Sequence, residues 1–329
     1  MTRRGCDLPA LLAAARRAEP RALGRLLSMV EDVSPRLREI AAALAPYTGR
    51  AHVVGVTGAP GVGKSTWTAA LVEVLRARGR RVAVVAVDPS SPFTGGALLG
   101  DRVRMQGHAV DDGVFIRSMA SRGHLGGIAW ATPQAVRVLD AAGFDVIVVE
   151  TVGVGQSEVD VARSSDTTVV LVAPGAGDAI QVAKAGVLEI GDLYVVNKAD
   201  RDGAEALRRD LRQMLALGAD GRPDGGPGPR PEIRLTVATA GTGLDEVADA
   251  LDRHRDAAAV SGSWDRRRRE RLRGEIEALA VASLRDHLGR LAGGADLDVL
   301  AGEVLAGRLD VYAAADRVVA DVAQSPTTP

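Results

Sequence analysis

The chain has 329 residues, 46% of them hydrophobic and 25% charged, ample for a packed core. Its net charge of −1 gives no overall pull towards nucleic acid or anionic lipid. The single Cys6 excludes an internal disulfide framework and a zinc site built from several cysteines, and no apolar run reaches the length of a membrane span. The start, "MTRRGCDLPALLAAARRAEP", carries Asp7 and Glu19 around a short apolar stretch. It reads as an amphipathic helix rather than a signal peptide, so a cytoplasmic location is expected.

Residues 7–46 repeat leucines at helical spacing: Leu8, Leu11 and Leu12, then Leu23, Leu26 and Leu27, then Leu37, Ile40 and Leu44. From 52 the pattern changes to short valine-rich runs: 52–58, 81–88, 145–151, 167–173, 193–200 and 233–239. They are nearly continuous rather than alternating, as strands buried on both faces of a mostly parallel sheet should be. With helical stretches between them they predict an α/β, doubly wound core. The Gly/Pro-rich stretch 218–231 reads as a surface loop, and the chain turns helical again from about 264. The expected organisation is a helical segment (1–48), an α/β domain (49–257) and a helical arm (258–329).

"GAPGVGKST", residues 58–66, fits the phosphate-loop pattern G-x-x-x-x-G-K-[ST] between a strand and a helix. In that loop Gly58, Ala59, Pro60, Gly61, Val62 and Gly63 would turn backbone N–H groups onto phosphate oxygens. Lys64 should reach the β- and γ-phosphates, Ser65 should ligate Mg²⁺, and Thr66 continues the loop into the helix. "NKAD", 197–200, ends a later strand. Asp200 can accept both the ring N–H and the exocyclic amine of guanine, whereas adenine meets it with an acceptor. Asn197 can hydrogen-bond the base edge, and the Lys198 stem can cover its face. Ala238 and Thr239 in "VAT" are the expected last base contacts, through backbone N–H groups. Asp88 and Glu150 close two further strands, and acids at strand tips beside a phosphate loop suit Mg²⁺. Bound GTP or GDP with Mg²⁺ is therefore expected. "ETVGVGQ" places Val154 where a water-orienting glutamine would follow the glycine, so hydrolysis by this chain alone should be slow.

Taken together, "GAPGVGKST", "AVDPSSPFTGGALLGDRVRM", "RSMASRGHLGG", "ETVGVGQSEVD", "APGAGD" and "VVNKAD" resemble one family, the MeaB/ArgK-type P-loop GTPases associated with methylmalonyl-CoA mutase. The resemblance implies a P-loop G domain with helical extensions at both ends, the second a homodimerisation arm. It implies a GTP-dependent chaperone that binds an adenosylcobalamin-dependent acyl-CoA mutase, gates cofactor loading from adenosyltransferase, and protects or reactivates the mutase. By resemblance, Asp88 and Asp101 belong to the Mg²⁺ and switch I region and Glu150 to switch II. The glycine-rich stretch 174–184 resembles an additional switch, with Asp178, Gln181 and Lys184 at its polar positions. These three are the candidates to supply what Val154 lacks.

Other features point elsewhere or nowhere. The basic run 265–275 is interleaved with Asp265, Glu270 and Glu275 and reads as a solvated helix face, with Ile276, Leu279 and Leu284 as a stripe for a partner helix. Trp67 is expected to pack in the core. Asp252-Arg253-His254 lacks the continuation of D-x-H-x-x-G, so cobalamin should not be held by that histidine mode. His124 sits among glycines with no assignable role. A kinase reading lacks a motif for an acceptor site or base, and a metal-insertion GTPase reading lacks thiol and histidine clusters.

Overall fold

Valine-rich strands set the frame of the molecule. The computed structural model describes residues 7–88, 111–120, 131–151, 157–175, 190–218, 231–291 and 294–324. Among these, β1 (His52–Gly58), β2 (Val82–Asp88), β3 (Val114–Ala120), β4 (Val146–Thr151), β5 (Thr167–Val172), β6 (Leu193–Asn197) and β7 (Glu232–Thr236) form one sheet. Its order is β3-β2-β4-β1-β5-β6-β7, and every pairing is parallel. The doubly wound expectation is met. The strand β3 was not among the six expected runs, because Arg117 and Ser118 interrupt its apolar character. It holds the edge with Phe115 and Met119 packed on one face, flanking Arg117 there, and Val114 and Ile116 packed on the other.

Helices cover both faces, as parallel sheets require. On one face lie α1 (Leu8–Arg16), α2 (Pro20–Glu31), α3 (Leu37–Leu44), α5 (Ala131–Ala141), α6 (Ser157–Ser164) and α7 (Ala204–Gly218). On the other lie α4 (Lys64–Ala77) and α8 (Leu244–Val260). The leucines at helical spacing in α1 to α3 (Leu8, Leu12, Leu23, Leu26, Leu27, Leu44) share one core with Val53, Val85, Ile147 and Val149. Each such side chain contributes about 1.5–3 kcal/mol by leaving water. Trp67 is fully buried between α4, the sheet and α8, as expected of a core residue. Asp7 caps α1 by accepting the Ala10 N–H at 3.3 Å. Arg117 of β3 donates to Ser28 Oγ at 3.1 Å and pairs with Glu31, which ties the edge strand to α2.

At the amino-terminal end of the sheet a polar chain crosses the buried strands. His52 Nε2 lies 2.7 Å from Thr167 Oγ1, which lies 2.8 Å from His254 Nδ1. His254 Nε2 stands 3.4 Å from Asp192 Oδ1, and the other Asp192 oxygen accepts the Thr168 N–H at 2.9 Å. The His52 ring meets Trp264 edge-on, with centroids 5.3 Å apart.

The chain divides into two compact units, Met1–Trp264 and Asp265–Pro329. The second is helical, built from most of α9 (Ser263–Leu291) with α10 (Gly294–Leu305) and α11 (Val311–Gln324). An Arg317–Glu303 ion pair links α11 to α10 at 3.3 Å. On α9, Leu272, Ile276, Leu279, Val281 and Leu284 are exposed. Among the described residues no helix is long and apolar enough to cross a membrane.

Candidate nucleotide-binding site

The loop between β1 and α4 has a backbone that only glycine serves at three places. Gly58, Gly61 and Gly63 have φ of +144°, +82° and +95°. A Cβ on Gly58 would stand 2.2 Å from the Leu171 carbonyl oxygen, so close approach to β5 is a second reason for glycine there. Between them Val62 is buried in the α4 core and anchors the loop, while Ala59 packs against that core and Pro60 is exposed. Lys64 is buried and donates to the Gly58 and Ala59 carbonyls at 2.6 and 3.1 Å. Its ammonium is therefore held over the mouth of its own loop, at the amino end of α4, where the helix dipole favours anions.

Ser65, on the first turn of α4, donates its hydroxyl to Glu150 Oε1 at 2.7 Å. Glu150 is buried near the end of β4, next to β1 through the Val56–Glu150 pair. A hydroxyl and a buried carboxylate at this separation form the oxygen donor set that a small hard cation takes, with neighbouring ligands about 3 Å apart in its octahedral shell. The residues present fit Mg²⁺. Asp88 ends β2, and its strand runs beside β4 up to the Val87–Thr151 pair. Asp101, His124, Val154, Asp178, Gln181 and Lys184 lie outside the described residues.

The other half of the site is a pocket open to solvent, lined by Gly63, Thr66, Asn197, Lys198, Asp200, Arg201, Val237, Ala238 and Thr239. The fold thus brings the end of the phosphate loop, "NKAD" and "VAT" to one cavity at the carboxyl edge, where ligands of open α/β sheets bind. Lys198 has φ +55° and opens a turn closed by the Arg201 N–H on the Lys198 carbonyl at 3.0 Å. Left-handed backbone costs a non-glycine residue about 1–2 kcal/mol. Lys198 Nζ bonds the Gly61 carbonyl at 2.7 Å, laying its stem beside the loop.

Asn197 is buried at the edge of the pocket. It donates to the Val62 carbonyl at 2.9 Å, and its oxygen accepts from Thr236 Oγ1 at 3.1 Å and from the Ala238 N–H at 3.3 Å. Asn197 thus clamps the phosphate loop to the β7 exit while lining the pocket, and Val62 takes one of the two N–H donors of its carboxamide. The Ala238 N–H is turned onto Asn197 at 3.3 Å, and Ala238 and Thr239 both line the pocket. Sequence reasoning missed Arg201 as a lining residue. No pattern marks it, since only the turn after Lys198 brings it to the cavity.

The model of the family described as methylmalonyl-CoA mutase-associated GTPase MeaB matches residues 23–291. The chain belongs to the MeaB family. A GTPase-named protein of Pyrococcus abyssi is similar at 44% identity over 319 residues, covering 95% of this chain and 96% of its own. GTPase ArgK of Escherichia coli is 37% identical over 289 residues, with 86% of each covered. The crystal structure of a LAO/AO transport system kinase superposes with a TM-score of 0.71 at 26% identity, covering 98% of this MeaB-family chain and all of its own. The fold is that of a P-loop GTPase, and membership of a GTPase family implies binding of guanine nucleotide.

Proposed function

We propose that this protein is a GTP-hydrolysing chaperone for an adenosylcobalamin-dependent acyl-CoA mutase, with methylmalonyl-CoA mutase as the first client to test. The observation that carries this reading is the single cavity joining the phosphate loop to Asp200 in a chain of the mutase-associated GTPase family. The loop amides and Lys64 would hold the β- and γ-phosphates, and Asp200 would accept the N–H groups of guanine. Mg²⁺, held by Ser65 and Glu150 with Asp88 and Asp101, would neutralise charge on the transferring phosphoryl group. Within the chain, Ser65 and Glu150 are already in mutual contact, so nucleotide and cation binding would replace one hydrogen bond by shared ligation.

Hydrolysis by the chain alone would be slow, because Val154 cannot orient water. Asp178, Gln181 and Lys184 would form the switch that couples client binding to turnover, gating cofactor loading from adenosyltransferase in the cytoplasm. The second unit, with its exposed Ile276, Leu279 and Leu284, would carry a homodimer interface.

The test combines light scattering of the protein, alone and with the mutase, with turnover of γ-labelled GTP. We expect a dimer mass, a complex, label recovered only as free phosphate, and turnover raised at least tenfold by the mutase. Gln181→Ala and Lys184→Ala should remove most of that stimulation and leave GTP affinity within about twofold. Unchanged turnover with no complex would remove the mutase from the reading. Label on an acceptor molecule would replace it with a kinase.

A further inference from the structure

A purine entering the pocket presents two flat faces as well as its edges. Among the nine described lining residues none is aromatic. Three are charged: Lys198, Asp200 and Arg201. The Lys198 ammonium is engaged by the Gly61 carbonyl at 2.7 Å, which fixes its stem along the loop side of the cavity. Asp200 is an acceptor and suits the N–H edge of guanine. Arg201 is different: its backbone is held by the Lys198 carbonyl at 3.0 Å. Its exposed side chain forms no hydrogen bond or ion pair among the described residues. A planar, weakly hydrated guanidinium anchored at the rim of a base-sized pocket is suited to stack on a π face, which an ammonium does poorly.

We infer that Arg201 closes the purine pocket by laying its guanidinium against the face of the bound base. It supplies affinity for any purine, while Asp200 selects guanine. This rests on the guanine-nucleotide reading of the site and extends it to a residue outside the phosphate-loop and "NKAD" motifs. Because the contact is with the base, its contribution is the same for the diphosphate and the triphosphate. Because it is with a face rather than an edge, it is the same for guanine and hypoxanthine.

The experiment is equilibrium titration of GTP, GDP, ITP and ATP into the full chain and its Arg201→Ala, Arg201→Lys and Asp200→Asn variants, with thermal midpoints confirming that each is folded. Arg201→Ala should weaken GTP, GDP and ITP by one common factor of about fivefold, the size of an exposed cation–π contact. Arg201→Lys should restore less than half of that loss. The preference for GTP over ATP should survive in Arg201→Ala and collapse in Asp200→Asn. Affinities of Arg201→Ala within twofold of wild type would overturn the inference. So would full rescue by lysine, or a loss confined to GTP and absent with GDP. Wild-type protein that fails to bind GTP and GDP would instead overturn the guanine reading itself, and the inference with it.

Discussion

Gly58 shows how much of the site is decided by a missing atom. Its φ of +144° and the 2.2 Å gap between a hypothetical Cβ and the Leu171 oxygen put strain and collision at one position. Gly61 shares the positive φ but has open space around its Cβ position. Gly58→Ala should therefore lower stability by about 1–3 kcal/mol and weaken GTP binding more than tenfold, because β5 does not yield. Gly61→Ala should show the smaller loss of the two. Denaturant unfolding together with nucleotide titration checks both. The glycines and Lys64 were legible in the sequence because their requirement is local: each acts on its own backbone or within a few residues. The clamp that Asn197 makes was not, since its partners Val62, Thr236 and Ala238 meet it only once β6, β7 and the loop are assembled.

At the scale of elements, the five inner strands were readable because strands covered on both faces must be apolar throughout, and β7 was readable because its run continues into the apolar "VAT". The edge strand β3 escaped because its one charged side chain is satisfied by Glu31 and Ser28 of α2, far back in the chain. The opposite edge has its own ionic device. On β7, Glu232 accepts from Arg253 of α8 at 3.0 and 3.2 Å and pairs with Arg234. Arg253 first, then Arg234, holds the Glu232 carboxyl below its ordinary range despite partial burial. A carboxylate with a lowered folded pKa stabilises the protein above its unfolded pKa, and that stabilisation is lost as pH falls through the folded value. Glu232→Gln should lower stability at neutral pH by about 1 kcal/mol or less, given the exposure of the cluster. The difference from wild type should vanish in acid below the folded pKa, as read from urea midpoints at the two pH values.

At the scale of the whole molecule, the sheet's two ends do different work. The carboxyl end gathers the phosphate loop, Glu150 and the base pocket. The amino end carries the chain from His52 through Thr167 and His254 to Asp192, and nothing in the local sequence announces it. Thr167 has one proton to share between two imidazole rings. With Asp192 facing His254 Nε2, that nitrogen carries the ring proton of neutral His254, and Nδ1 is left to accept. The threonine must then donate towards His254 and receive from His52, so both rings are confined to the Nε2–H tautomer. The row has a polarity, running from β1 across β5 to α8. Thr167→Val would cut it at the middle by removing the hydroxyl that both rings meet. We expect a loss of about 1–3 kcal/mol in denaturant unfolding and, in nitrogen NMR, the appearance of the other tautomer at His52.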